Sequence, residues 1–447
     1  MAFKVDLSVM DWTKLPDLGA VALLLCAFGS VAHRGQTSVS RLWLVGWAMI
    51  ALHFAASMFE NAAGTLGTLT SMISVDALVW GGILFMWACV PYRNRSSSRW
   101  MLVSLLGTNT LYLGLLTICP KAVWALVAAA VFYGALPLML TLLSLLALHR
   151  FGHPLRWALV ALYAGLSVFL LAFQQRVPNG GDLAINAVIF TVYFGCCIHF
   201  WYAYRRATTG ALITIAGFFA WAAVFVVGPL LEAYMPALHV QDEVWNLPKY
   251  VVAVGMILLL LENQIEHNKY LALHDELTGL PNRRLFQDRM TSALERARRN
   301  RSHTALLLID LDHFKRVNDT VGHHVGDMLL KHVSNVFLGR VRHSDTVART
   351  GGDEFCVILE EPTSREAAEL VGDALIQMLK EPVELEHHTV TVGASVGIAM
   401  FPDDADTAES LRIAADRNMY ADKNTTHRTN PDRPVSSPMY PPEKTRR

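Results

Sequence analysis

A boundary near residue 262 divides this chain into two stretches of opposite hydropathy. Up to about residue 261 the sequence is apolar and carries few charges, whereas from Glu262 onward it is rich in Asp, Glu, Lys, Arg and His. Charged residues make up 17% of the whole chain, against about 25% in typical soluble domains. A division of this kind predicts a helical membrane domain followed by a soluble domain.

The apolar stretch contains runs long enough to cross a bilayer, which takes about 17 to 25 helical residues. Nine such runs are predicted, near 17–33, 42–59, 70–91, 101–118, 122–147, 157–173, 184–203, 209–231 and 245–262. The last run is the weakest, because Pro248 and Lys249 lie near its start. Residues 1–262 are therefore expected to form a multi-pass α-helical membrane domain, either a sensor or only an anchor and dimerisation surface.

Basic residues are unevenly divided between the predicted loops, and this asymmetry sets the orientation of membrane helices. The loops after the odd-numbered spans carry Arg34, Arg41, Arg93, Arg95, Arg99, Arg150, Arg156, Arg205 and Arg206. The loops after the even-numbered spans carry Lys121 and Arg176 as their basic residues. The rule that positive loops stay inside predicts an external N-terminus and a cytoplasmic soluble half.

Polar residues inside the predicted spans are candidate functional groups. His53, Asp76 and His199 are of this kind, and the alternative is that each is satisfied within a helical bundle. A metal or haem role is conceivable for Cys196, Cys197 and His199, but packing of small polarizable side chains in a membrane helix is the simpler interpretation. The six cysteines show no spacing typical of a disulfide framework or a zinc site.

Composition also predicts the structure of two further segments. Residues 263–274 contain no Gly or Pro and have helical character, so we expect a signalling helix that continues the last membrane helix into the soluble domain. Residues 429–447 are rich in proline with scattered charge, which is typical of disorder.

In the soluble half, a short apolar run over 304–312 predicts a buried central strand that ends in two acids. Asp310 and Asp312 share one face of this strand, because side chains alternate along it. Two later apolar runs flank Gly351 and Gly352. This pattern predicts a β-hairpin with a tight two-residue turn.

Asp353 and Glu354 follow the two glycines directly. If the hairpin lies beside the 304–312 strand, both acids converge with Asp310. Hard oxygen ligands at a strand edge suit Mg²⁺, which binds through one or two carboxylates plus substrate phosphates. Two such ions can hold the attacking and leaving oxygens of a phosphoryl displacement.

Four segments, considered together, resemble the GGDEF-domain diguanylate cyclases over roughly 271–428. They read HDELTGLPNR at 274–283, DLDHFKRVNDTVGHHVGD at 310–327, RTGGDEF at 349–355, and VGASVGIA at 392–399 followed by ADRNMYADK at 415–423. The resemblance implies that residues 275–428 form an α/β palm-like domain of the ferredoxin-like, nucleotidyl cyclase type, with a mostly antiparallel central sheet.

The resemblance also implies a set of site residues. Catalysis would depend on Asp353 and Glu354. Metal, Mg²⁺ or Mn²⁺ with two ions per active half-site, would be held by Asp310, the carbonyl of Leu311, Asp353 and Glu354. Asn318 and Asp327 would bind the guanine edge, as an amide and a carboxylate can. The remaining substrate-binding residues would be Phe314, Lys315, Gly351, Gly352 and Lys423.

The implied reaction joins two GTP molecules into cyclic di-GMP and releases two pyrophosphates. Each domain would bind one GTP, so the enzyme would act as a homodimer at the bacterial inner membrane. Arg342 and Asp345 stand at the spacing of the family's inhibitory site, where cyclic di-GMP binds as product and allosteric inhibitor. The alternative for this R-x-x-D pattern is a surface salt bridge in a loop. A formal net charge of zero gives no basic signature of nucleic-acid binding.

One departure concerns the phosphate-binding end of the domain. Where the family has Gly-Arg-Asn, this chain has Thr426, His427 and Arg428, which puts the affinity for GTP in question. Two other functions stay open. One is a binding module that only senses GTP or cyclic di-GMP, although the intact signature acids favour catalysis. The other is a transporter with a regulatory appendage.

Overall fold

The computed structural model describes residues 10–35, 38–89, 96–118, 180–204, 208–238, 240–362 and 364–429, together with single positions between 127 and 172. Its contacts divide the chain into two compact units, Met1–Ile265 and Glu266–Arg447. The predicted disordered tail lies outside the described residues, except that Thr429 ends a helix.

The first unit is helical throughout its described residues. A short 3₁₀ helix, Trp12–Lys14, leads into α1 (Leu15–Gly35), α2 (Ser38–Ser57), α3 (Thr65–Ala88), α4 (Ser96–Ile118), α5 (Gly180–Ala203), α6 (Thr209–Tyr234) and α7 (Asp242–Leu273). The single helix α7 therefore includes both the ninth predicted span and the predicted signalling segment.

Six segments of the described chain are long and apolar enough to cross a membrane. They are Trp12–Val31, Ser38–Ser57, Thr65–Ala88, Asp182–Ala203, Thr209–Tyr234 and Glu243–Leu273. The predicted span 101–118 coincides with α4, which is not one of the six. The predicted spans 122–147 and 157–173 lie outside the described residues apart from single positions. The number of nine spans therefore stays a prediction.

Aromatic side chains fill the centre of the first unit. Trp47 stacks with Trp221 at a centroid distance of 6.5 Å, and Tyr193 stacks with Trp221 at 3.9 Å. Small residues let the helices approach closely, as is common in membrane bundles. A Cβ added at Gly46 would lie 2.5 Å from the Phe85 ring, so α2 and α3 meet at that glycine.

The polar residues singled out within the spans are hydrogen-bonded inside this bundle. Nδ1 of His53 lies 3.0 Å from both Oγ and the carbonyl oxygen of Ser74. Asp76 accepts hydrogen bonds from the Asn109 amide at 2.6 Å and the Thr110 hydroxyl at 2.7 Å. Nδ1 of His199 lies 2.8 Å from the carbonyl oxygen of Gly195. These contacts agree with the alternative that each of the three residues is satisfied within a helical bundle.

The thiol of Cys196 donates to the carbonyl of Gly82 at 3.2 Å. Within the described chain, no group of three His, Cys, Asp or Glu residues could hold a metal ion. Both findings agree with the packing interpretation of Cys196, Cys197 and His199. Cys26, Cys89, Cys196, Cys197 and Cys356 are free thiols, and Cys119 lies outside the described residues.

The second unit has a four-stranded antiparallel sheet in the order β2-β3-β1-β6, with a separate β4-β5 hairpin. Its elements are α8 (Arg283–Asn300), β1 (Thr304–Asp312), α9 (Phe314–Val321), α10 (His323–Arg340), β2 (Thr346–Arg349), β3 (Glu354–Glu360), α11 (Arg365–Leu379), β4 (Val383–Leu385), β5 (His388–Val390), β6 (Gly393–Phe401) and α12 (Ala408–Thr429). The apolar run at 304–312 forms the central strand, as predicted.

Both faces of the sheet are covered, which explains why β1 is apolar almost throughout. Leu307 and Ile309 pack on α9, α10 and α11, whereas Leu306 packs on α8 and α12. At Gly397 of β6, an added Cβ would lie 2.0 Å from the carbonyl oxygen of Ala415 in α12. The expected palm-like α/β fold, following a multi-pass helical region, is confirmed.

One local expectation was wrong. The hairpin turn contains three residues, 351–353, because the last ladder pair is Arg349 with Phe355 and the Thr350 N–H still donates to the Glu354 carbonyl. Neither Gly351 nor Gly352 is among the residues with positive φ, which a type I′ turn requires at both positions. The segment after β1 forms two helices, α9 and α10, with Gly322 between them at φ 91°.

Candidate active site

Two carboxylates face each other across neighbouring strands at one end of the sheet. Asp310 of β1 is the register partner of Glu354 of β3. Their side chains share the face on which Leu306 and Cys356 pack, because side chains alternate along each strand. Like charges directly opposite each other destabilise a strand pair. A cation bound between them would remove this repulsion, so the donor set fits a divalent metal.

The signature turn adds a third carboxylate to this edge. The Leu311 N–H donates to the Asp353 carbonyl at 3.2 Å, which fastens the turn to the end of β1. The structure therefore brings together the four residues predicted to hold metal: Asp310, Leu311, Asp353 and Glu354. Among the described residues, no three metal-binding side chains form a ready cage, and Mg²⁺ with one or two carboxylates and substrate phosphates needs none.

Asp312 lies two residues beyond Asp310 on the same face. It accepts a hydrogen bond of 2.8 Å from the Ser395 hydroxyl of β6. Ser395 is itself the register partner of Asp310. The pair fixes the end of β1 against β6. Sequence reasoning placed Asp312 on this face but gave it no partner, because a cross-strand partner becomes visible only once the register is known.

Arg349 holds the signature turn from the side opposite Glu354. Its Nε and Nη2 donate to the Gly352 carbonyl at 3.2 and 2.7 Å, and its Nη1 donates to Asp275 at 2.8 Å. Burial tends to raise the pKa of Asp275, but hydrogen bonds from Thr278 and Arg349 outweigh it and hold that pKa below its usual value. The pair thus stays charged at neutral pH.

Asn318 occupies a tight position between α9 and α10. Its Oδ1 is buried and has no hydrogen-bond partner within the described structure. An added Cβ at Gly326 would lie 1.9 Å from this oxygen and 3.4 Å from the ring of Phe314. A buried acceptor without a donor costs about 1–3 kcal/mol. A ligand that presents an N–H group would satisfy it, as guanine can.

The other predicted substrate residues differ in exposure. Phe314 is 8% exposed, whereas Lys315 near the start of α9 and Asp327 in the second turn of α10 are exposed. Lys423 belongs to α12, but its side chain lies outside the described part of the chain, as do those of residues 426–428. The predicted substrate contact of Lys423 therefore stays a prediction.

Two concavities adjoin the signature turn. A groove of about 540 Å³ runs along Asp275, the start of α8, Arg349 and the two glycines. A smaller pocket of about 130 Å³ lies beside Glu354, between α8 and α12, and includes Cys356. Burial raises the pKa of the Cys356 thiol to about 12, so this cysteine is a packing residue and not a nucleophile.

The Arg342–Asp345 stretch forms the turn between α10 and β2. Asp345 accepts the N–H groups of Arg342 at 2.9 Å and of Glu360 at 3.1 Å. No salt bridge joins the two side chains in the described structure, so the surface salt bridge expected as the alternative is not seen. Arg342 is exposed.

Comparison with known proteins identifies the second unit. Residues 272–429 match the family model described as diguanylate cyclase, GGDEF domain. The chain is 40% identical over 185 residues to the bifunctional diguanylate cyclase/cyclic di-GMP phosphodiesterase MucR of Pseudomonas aeruginosa, covering 38% of this chain and 27% of MucR. It is 42% identical over 153 residues to the diguanylate cyclase TpbB of the same organism, covering 34% of this chain and 35% of TpbB.

A solved structure of the TpbB GGDEF domain is 41% identical and covers 34% of this chain and 89% of that chain, with a TM-score of 0.34. The chain spans about a quarter to a third of the length of these two curated relatives.

Proposed function

We propose, from the GGDEF domain that residues 272–429 form, that this chain condenses two GTP molecules into cyclic di-GMP and two pyrophosphates. One observation carries the proposal. The intact RTGGDEF turn is fastened to β1 so that Asp353 and Glu354 meet Asp310 at one sheet edge. A GGDEF domain that had lost catalysis and only bound nucleotide would not need all three of these acids.

The chemistry follows from the placement of the side chains. Asp310, the Leu311 carbonyl, Asp353 and Glu354 would hold Mg²⁺ or Mn²⁺, two per half-site. Bound there, the metal would polarise the α-phosphate and neutralise charge on the leaving pyrophosphate. Asp353 is the proposed base for the 3′-hydroxyl. The Leu311 N–H fixes its backbone at the end of β1, which limits where the carboxylate can lie before the substrate binds.

Guanine recognition is assigned to the cleft between α9 and α10. The unpartnered Oδ1 of Asn318 would accept a hydrogen bond from guanine N1–H or N2–H₂. The Asp327 carboxylate would accept a hydrogen bond from the other of these two groups. Adenine presents a different edge, so GTP is the proposed substrate. Lys315 and Lys423 are the proposed phosphate contacts, and Gly351 and Gly352 leave space beside the nucleotide.

Each domain binds one GTP, so two copies of the chain are needed. In the proposed homodimer, each 3′-hydroxyl attacks the α-phosphorus of the other nucleotide and a pyrophosphate leaves, once on each side. The six apolar helices would anchor the protein in the inner membrane, with an external N-terminus and the cyclase in the cytoplasm. Cyclic di-GMP bound at Arg342 and Asp345 would inhibit the enzyme.

The test is an assay of full-length protein, purified in detergent, with GTP and Mg²⁺. Glu354→Gln keeps the shape of the side chain and removes its charge, so cyclic di-GMP formation should fall by at least about 100-fold. The matched control is Glu360→Gln at the other end of β3, where the carboxylate pairs with Arg296. That variant should keep its activity. Equal activity in Glu354→Gln and the unmodified protein would refute the assigned metal site.

A further inference from the structure

A buried polar cluster joins the first and last described helices of the membrane unit. It consists of Asp17 in the first turn of α1 and Asn246, Lys249 and Tyr250 near the start of α7, and we name it the polar latch. Asp17 and Asn246 are 7% exposed and Lys249 is 6% exposed. Charged groups at such positions are costly to bury unless they are paired.

The latch is a continuous chain of short hydrogen bonds. Asp17 accepts from the Asn246 amide at Oδ2 and from the Tyr250 hydroxyl at Oδ1, each at 2.6 Å. The Lys249 ammonium donates to Asn246 Oδ1, also at 2.6 Å. It lies 4.5 Å from the centroid of the Phe54 ring in α2, a cation–π distance. The side-chain amide of Asn246 thus links the Asp17 carboxylate to the Lys249 ammonium.

The latch adds a polar attachment to α7 to the apolar contacts of α1. Only Val21 and Phe28 among the described apolar residues of α1 are fully buried. By contrast, α6 and α7 touch at their backbones. A Cβ added at Gly217 would lie 2.9 Å from the Val252 nitrogen, and one added at Gly255 would lie 2.6 Å from the Thr214 nitrogen. The α6–α7 pair is thus held by direct backbone contact, whereas the polar contact between α1 and α7 is made by side chains alone.

Both ends of α7 have features suited to passing a movement along the helix. Pro248 lies within the helix between Asn246 and Lys249, and a proline there removes one backbone hydrogen bond and weakens the helix locally. At the other end, Glu262 accepts the Gly210 N–H at 3.1 Å and caps α6. The helix then continues without a break to Leu273, two residues before Asp275.

We propose that the polar latch is a regulatory device: its closed state fixes the position of α7, and its opening changes the output of the cyclase. Buried ion networks contribute little net stability compared with apolar packing, and their best-attested use is to select one arrangement over another. The latch is a network of this kind, because both carboxylate oxygens of Asp17 accept hydrogen bonds from residues of α7. Its effect on output rests on the proposed function.

The experiment uses full-length protein in nanodiscs and two readouts. The variants are Asp17→Asn, Lys249→Met, their double variant, and Tyr250→Phe, which removes one hydroxyl. Asp182→Asn is the matched control, since Asp182 also lies in the first turn of a membrane helix but is exposed. The readouts are cyclic di-GMP formation at saturating GTP and hydrogen exchange of the backbone amides of 242–250.

Opening the latch should raise amide exchange in 242–250 and change the turnover rate by about 5-fold or more, the lower end of allosteric coupling. Asp17→Asn and Lys249→Met should act in the same direction, leave the KM for GTP unchanged, and not add in the double variant. Tyr250→Phe should have a smaller effect in the same direction. Asp182→Asn should match the unmodified protein in both readouts.

Three results would overturn the proposal: exchange that matches the control, faster exchange with unchanged turnover, or additive effects in the double variant. If Asp17→Asn fails to fold, Tyr250→Phe decides by the same two readouts. If the unmodified protein makes no cyclic di-GMP, the proposed function fails by itself, and the regulatory role falls with it. Exchange then shows only whether the latch holds α7.

Discussion

At the scale of single residues, the proposed guanine site depends on a glycine with no room for a side chain. A Cβ at Gly326 would lie 1.9 Å from Oδ1 of Asn318. We expect Gly326→Ala to displace that amide and to raise the dissociation constant for GTP by about 10-fold or more, the value of one lost hydrogen bond to a buried polar group. Titration calorimetry with Ca²⁺ in place of Mg²⁺ measures this affinity.

Gly339→Ala is the control, because Gly339 lies in the same helix and an added Cβ meets nothing within 4 Å. It should leave GTP affinity unchanged and stabilise α10 by about 0.5–1 kcal/mol through helix propensity. Equal GTP affinity in both variants would remove Asn318 from the guanine site.

Arg349 is the residue that gives the signature turn its shape. Arg349→Ala would release the Gly352 carbonyl and leave Asp275 without its ion pair, so we expect turnover to fall by about 10-fold or more. Because the pKa of Asp275 is held below its usual value of 3.8, its carboxylate is charged throughout the neutral range, and the loss should not vary with pH there.

Arg296→Ala is the control for charge removal, since Arg296 forms an exposed ion pair with Glu360 on the same sheet. Exposed pairs contribute about 0–1 kcal/mol, so this variant should keep full turnover. An Arg349→Ala enzyme as active as Arg296→Ala would contradict the positioning role.

Motif spacing predicted which residues gather at the site, because Asp310, Asp353 and Glu354 each follow or begin a strongly patterned strand. It did not predict the three-residue turn. Two adjacent glycines satisfy the pattern of a tight turn, but the bond from Arg349 to Gly352 and the bond from Thr350 to Glu354 decide the loop length. Those contacts depend on the folded hairpin and leave no local signal.

At the scale of elements, α12 rests directly on the backbone of β6. A Cβ at Gly397 would lie 2.0 Å from the Ala415 carbonyl and 2.4 Å from the Met419 nitrogen. Gly397→Ala should therefore push the helix off the sheet and cost about 3 kcal/mol or more, beyond ordinary overpacking. Limited proteolysis of the full chain reports this as faster cleavage within 393–429.

Gly372→Ala provides a graded comparison. An added Cβ there meets the flexible end of Ile398 at 3.2 Å, so the neighbour can adjust and proteolysis should change little. Similar cleavage in Gly372→Ala and Gly397→Ala would show that the close contact of α12 does not decide the stability of this region.

Element type followed from hydropathy, but the break between α9 and α10 did not. In the segment 314–330, Gly322 at φ 91° separates two helices. A glycine inside a helical pattern is often tolerated, so the sequence alone does not distinguish a kink from two helices. The register that pairs Asp312 with Ser395 was hidden for a related reason, since it depends on strands that are distant in sequence.

At the scale of the whole molecule, the change in hydropathy near residue 262 predicted the division into two units, and the structure divides the chain at Ile265. The proposed orientation is testable at this scale. A phosphatase that is active only outside the cytoplasm, fused to the N-terminus, should be active in cells, whereas the same enzyme fused after Arg447 should be inactive. The opposite pattern would overturn the proposed topology.

The central claim is that this chain joins two nucleotides instead of hydrolysing one. The most direct measurement is the ratio of products that full-length protein forms from GTP and Mg²⁺, resolved by chromatography and phosphorus NMR. The account predicts two pyrophosphates for each cyclic di-GMP, no GDP, and neither product with Glu354→Gln. GDP and phosphate as the products of the folded protein, or no turnover with GTP still bound, would contradict it.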